Sequence, residues 1–232
     1  MDRFLLMAMI VALGAIVALL AMNMRRAAAA RGRTRAAYFD DCQALLDQPR
    51  TRIGPTGFPR LAGTYRGHEA DIQVMPDTLT FRKLPALWVL VTLPGPLPVG
   101  ATLDLMIRPT GVEPFSRFHK LNNQMNLPDG FPEDCALRTD SPALVSPEAL
   151  VRPHLHLFDD PTIKELVISP KGVRLVFLAE EAQRSRYLIY RDCEMGLIPL
   201  SAERLKRRLD ALVALRADVL DMAIPERHEI PA

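Results

Sequence analysis

Phe4–Met22, FLLMAMIVALGAIVALLAM, constrains this chain more than any other stretch. It holds 19 residues without a charge, and Gly14 is its one mild break. At a rise of about 1.5 Å per residue, a helix of that length matches a hydrocarbon core of roughly 30 Å. A cleaved signal peptide would have a more basic start, a shorter apolar run and a small-residue cleavage site. Here Asp2 and Arg3 precede the run, and Arg25 and Arg26 follow at once. The pattern predicts an uncleaved transmembrane anchor over residues 1–24.

The flanking charge predicts the orientation. Arg25, Arg26, Arg31, Arg33 and Arg35 lie on the carboxyl side, with no acid before Asp40. Basic residues near a span favour the cytoplasmic face. The expectation is an amino terminus outside and a main domain in the cytoplasm. The same arginines can rest on anionic headgroups, which makes membrane lipids the first expected partner.

These arginines also account for the basic balance. They and Arg3 make up six of the 29 basic residues, and Asp2 is one of 27 acidic ones. The remainder therefore carries a net charge of about −3. A nucleic-acid surface needs a concentrated basic face, so nucleic acid is not an expected partner. Cys42, Cys135 and Cys193 are odd in number, far apart and each preceded by an aspartate. That arrangement reads as small buried residues rather than as a disulfide framework or a nucleophile.

An α+β domain is expected after the anchor. Residues 27–48 read as a helix continuing from the membrane and docking through Tyr38, Phe39, Cys42, Leu45 and Leu46. Together with a Pro/Gly-rich linker over 49–60 it forms a juxtamembrane region, residues 25–60. A mostly antiparallel, β-rich globular domain is expected over 61–225, with a loose tail over 226–232. Its strands are LAGTYRG, HEADIQVM, TLTFRK, ALWVLVTL, ATLDLMIR, CALRTD, Thr162–Ser169, Val173–Leu178 and Arg186–Arg191. Met75–Pro76–Asp77 reads as a turn, and residues 113–121 as a short helix. Leu87–Val91 is apolar throughout and predicts a central strand buried on both faces. Ser146 and Ser201 sit at helix starts, the second opening an amphipathic C-terminal helix that ends at Pro225. Its stripe, Leu205, Leu209, Leu212 and Val219, either packs on the sheet or is an interaction face for a second chain.

Few residues suggest chemistry. On an extended segment His154 and His156 would point to the same side, and Asp159 could complete a two-His, one-carboxylate metal site. Asp129, Glu133, Asp134 and Asp140 cluster around a loop but lack calcium-loop spacing. Arg66, Arg82 and Lys83 would form a small anion patch if their strands paired. No catalytic or cofactor-binding fingerprint is present, so no catalytic residue and no cofactor is expected.

Gly63-Thr64-Tyr65-Arg66-Gly67-His68 in an early strand, followed by Leu137-Arg138-Thr139-Asp140-Ser141 before a short helix, resembles an uncharacterised class of bacterial single-pass membrane-anchored proteins. The resemblance spans residues 61–200. It implies a bacterial inner membrane and brings no site residues. The expected function is a non-enzymatic protein-interaction domain, an accessory subunit or assembly factor whose partner is another membrane protein or complex. The alternatives are a metal-dependent hydrolase using His154, His156 and Asp159, and a lipid-surface module using the five arginines and Trp88.

Overall fold

The computed structural model describes residues 3–78, 84–182 and 195–222. The strand expected at TLTFRK falls mostly outside these ranges. Arg82, Lys83, Arg186–Arg191, Cys193, Pro225 and the tail lie wholly outside them. The described part is α+β, with a long apolar N-terminal helix and a large antiparallel sheet.

Helix α1 runs Arg3–Ala36 and buries none of its residues. Its most apolar window has a mean hydropathy of 2.9, and it is long and apolar enough to cross a membrane. The helix stops sooner than the expected residue 48. Asp40–Leu45 is a 3₁₀ segment instead. Phe39, Cys42 and Leu45 recur every three residues, a spacing that shares one face in a 3₁₀ winding. The docking itself is as expected, because Tyr38, Phe39, Cys42 and Leu46 are all buried in the core. Leu200 N–H donates to the Tyr38 carbonyl at 3.0 Å, and Tyr38 meets the Phe58 ring edge-on at 5.6 Å.

The described strands form one antiparallel sheet in the order β1-β2-β3-β4-β9-β8-β5-β7-β6. They are β1 Asp47–Ile53, β2 Pro59–Tyr65, β3 His68–Asp77, β4 Ala86–Pro94, β5 Leu103–Ile107, β6 Asn123–Met125, β7 Cys135–Thr139, β8 Ile163–Ser169 and β9 Gly172–Glu181. β4 lies between β3 and β9, the central place expected for it.

Three readings of the sequence are corrected here. The linker expected over 49–60 contains β1, an exposed edge strand, so the folded domain begins before residue 61. Pro49 is tolerated because an edge strand needs hydrogen bonds on one side only. Met75–Pro76–Asp77 is the end of β3 rather than a turn. β2 pairs with β3 only as far as Gln73, so Pro76 has β4 alone as a neighbour and its missing N–H leaves no gap. Residues 113–121 shorten to a 3₁₀ turn, Phe118–Lys120.

Period-two alternation sorts the sheet into two faces. Directly opposed residues across antiparallel strands share a face. One cross-strand row is Leu61, Ile72, Val91, Leu175, Leu166, Leu105 and Leu137. All seven are essentially fully buried and form the main core.

Helix α2, Pro147–Val151, opens as expected with Ala149 N–H donating to Ser146 Oγ. Helix α3, Ala202–Asp221, is capped by Ser201, which accepts from Arg204 N–H at 3.3 Å. α3 lies against β4, β9 and the 3₁₀ segment at Asp40–Leu45, and it buries Leu205, Leu209, Leu212, Leu215 and Val219. Leu205, Leu209, Leu212 and Val219 are therefore core, and the alternative of an exposed interaction stripe is corrected. Arg216, between Leu212 and Val219 in the sequence, reaches across to the carbonyls of Gly95 and Pro96.

Candidate functional site

The second face of the sheet is more polar. The row next to the main core reads Arg50, Ala62, Asp71, Thr92, Arg174, Val167, Asp104, Arg138 and Gln124 from edge to edge. The following row places Glu165 between Val176 and Met106. Phe115 and Phe118 fold over this face and close a small second cluster with Leu90, Met106 and Val176. Trp88 packs on Phe115 with ring centroids 4.8 Å apart.

Two carboxyl groups are buried here. Asp104 on β5 is 2 % exposed and Glu165 on β8 is fully buried. Ser116 Oγ donates to Glu165 Oε1. Arg174 Nη2 stands 3.5 Å from Glu165 Oε2, an ion-pair distance without a hydrogen bond. Asp104 Oδ1 and Arg174 Nε also have no hydrogen-bond partner. Burial, and then the charge of Glu165, push the Asp104 carboxyl well above the usual aspartate range, with Arg174 pulling the other way. Burial likewise raises Glu165, against Arg174 and the Ser116 bond. Two acids sharing one guanidinium hold a proton readily, because both cannot ionise cheaply in a low-dielectric site.

A groove of about 600 Å³ opens beside this cluster. Asp104 and Arg174 line it from the sheet, Thr92 and Thr102 from the strand ends, and Arg117 and Lys171 from the flanking turns. Asp140 also lines it, and its Oδ1 accepts from Thr102 N–H at 2.9 Å. Arg117 and Lys171 are exposed, and neither side chain is ion-paired among the described residues. Nearby, Glu113 fastens the covering loop. It accepts from Thr110 N–H at 2.6 Å and Gly111 N–H at 3.0 Å, and it lies 3.4 Å from Lys164.

The residues singled out from sequence lie elsewhere. His154, His156 and Asp159 fall on a 3₁₀ segment, Arg152–Asp159, rather than on an extended one. The two imidazole rings stand 6.3 Å apart at a tilt. His154 is buried with Nε2 3.0 Å from Asp218 Oδ2 of α3, while His156 and Asp159 are exposed. The extended segment expected for this triad is corrected to a 3₁₀ turn. Among the described residues, no group of three or more His, Cys, Asp or Glu side chains is placed to hold a metal ion. The acidic loop is engaged otherwise: Asp134 pairs with Arg108 at 3.4 Å, and the Asp129 carbonyl accepts from Arg152. Arg66 pairs with Asp210 at 3.1 Å on the helix side, and Arg82 and Lys83, the other members of the expected anion patch, lie outside the described residues.

Cys42 and Cys135 are buried free thiols. Burial, and then Asp41, push Cys42 up to about 12; burial, and then Asp134, push Cys135 up to about 11. Arg25, Arg26, Arg31, Arg33 and Arg35 are carried on or at the end of α1, and the Arg35 guanidinium lies 5.4 Å from the Phe58 ring centre.

Sequence reasoning did not single out Asp104, Glu165 or Arg174. Their signal is a charge inside a mostly apolar β-run: LDLMI, IKELVIS and GVRLVF. No protein-family model and no curated protein matches this chain.

Proposed function

We propose that this chain is a membrane-anchored interaction protein, an accessory subunit or assembly factor whose domain binds another membrane protein. The observation that supports it best is the join between α1 and the domain. The apolar segment buries none of its residues within the described structure, and once the helix that carries it ends at Ala36 the chain enters the core at Tyr38 and Phe39. An apolar helix exposed along its length requires a non-aqueous partner, and a bilayer supplies one. A junction buried to this extent holds the domain firmly to its anchor.

In this reading α1 spans a bacterial inner membrane with the amino terminus outside. The five arginines rest at the cytoplasmic headgroups and the domain faces the cytoplasm. The residues from Asn23 to Ala36 extend about 20 Å beyond the apolar run and set the domain's distance from the lipid.

Crosslinking in native membranes followed by purification tests the reading. A membrane protein recovered in fixed stoichiometry supports it. A chain that purifies alone under conditions preserving other membrane complexes overturns it. A periplasm-active reporter fused after Ala232 should be silent, and strong activity would reverse the orientation.

A further inference from the structure

The groove on the second face has an arrangement that the anchoring role does not call for. Arg174 carries five N–H donors, of which the Glu165 ion pair engages one nitrogen, and its Nε is unpartnered. Arg117 and Lys171 bring two further cations to the rim, both without an ion pair among the described residues. Thr92 and Thr102 add hydroxyl groups. At the floor stands a carboxyl group with one oxygen unpartnered, on a residue only 2 % exposed. The volume, about 600 Å³, is that of a small-molecule site.

We propose that this groove binds a small oxyanion-bearing ligand, its carboxylate or phosphate group held by Arg117, Lys171 and Arg174 above Asp104. The charges facing Asp104 decide how an acid fits under an anion. Arg174 stands beyond Val167 in the same cross-strand row, and Glu165 lies in the adjoining row. Arg138 occupies the opposite side of the row, its guanidinium engaged with the Leu121 carbonyl and the Phe118 ring. Burial, and then the charge of Glu165, favour the protonated form of Asp104, and a protonated carboxyl donates to an oxyanion rather than repelling it. Asp140 is the one acid at the rim, and its Oδ1 is already occupied by Thr102 N–H.

The test is isothermal titration of the full-length protein in detergent with inorganic phosphate and, separately, glutarate. One-site saturation by either probe is expected, and the tighter of the two identifies the headgroup chemistry. The double variant Arg117→Gln/Lys171→Gln changes two exposed side chains and should keep the melting temperature while weakening binding at least tenfold. Arg50→Gln/Arg52→Gln, on the far edge strand, should bind unchanged. Absence of saturation with both probes overturns the proposal. So does equal affinity in the groove variant, or equal loss in the edge-strand variant.

Discussion

Asp104 and Arg174 stand in one cross-strand row with Val167 between them, and neither Asp104 Oδ1 nor Arg174 Nε has a hydrogen-bond partner. The arginine instead faces Glu165 in the neighbouring row. One guanidinium thus serves two buried carboxyl groups. Burial raises both carboxyl groups, and the arginine lines the groove.

Stability should depend on their protonation. Asp104 and Glu165 bind a proton more tightly folded than unfolded, because burial raises both and Glu165 adds to Asp104. Their contribution is complete below the ordinary carboxylate range and is lost as pH rises through the raised folded values. Asp104→Asn removes the larger part. Its melting temperature should exceed the parent's by more at about pH 8 than at about pH 5. An equal difference at both pH values would show that Asp104 does not change ionisation between them.

The opposite slope belongs to Asp160. Burial raises it, but the bonds from Thr162 and the charge of Arg208 outweigh burial and hold it below the usual range. Its contribution is present above the ordinary aspartate value and is lost as pH falls through the lowered one. Asp160→Asn should therefore flatten the acid limb of the stability profile. A variant whose acid limb matches the parent's would remove Asp160 from that role.

Leu209 and Leu212 are fully buried where α3 meets the sheet. Each change to Ala should destabilise the domain by roughly 2–5 kcal/mol, measured by chemical denaturation. An unchanged midpoint would mean that the helix does not contribute to the core as its burial indicates.

Gly196 has φ +75°, and a side-chain carbon built there would lie 2.3 Å from the Phe58 ring. Gly196→Ala combines strain with a clash beside the Tyr38 junction. It should destabilise by about 1–3 kcal/mol and expose the anchor junction to protease. Protection equal to the parent's would show that Phe58 moves aside freely.

Cys42 and Cys135 should resist alkylation in the folded protein at mildly alkaline pH and label fully on unfolding, followed by site-resolved mass spectrometry. Their raised thiols keep the reactive thiolate scarce. Rapid native labelling of either would contradict its burial.

Local composition was enough for the elements whose signals are local. The apolar run from Phe4 to Met22, the continuous strand around Leu87–Val91 and the serine caps at Ser146 and Ser201 are legible because periodicity and capping chemistry act within a few residues. The same holds for the docking residues Tyr38, Phe39 and Cys42, although their three-residue spacing pointed to a 3₁₀ winding that was read as an α-helix. Strand β1 and the end of β3 were hidden because proline signals a break, while its acceptability depends on whether a neighbouring strand needs the missing N–H. Only the sheet order determines that. The candidate site was illegible for the same reason. Asp104, Glu165 and Arg174 come from β5, β8 and β9, and each alone is a charge in a mostly apolar strand. Strand register brings them onto one face, where burial raises the two carboxyl groups beside an open groove.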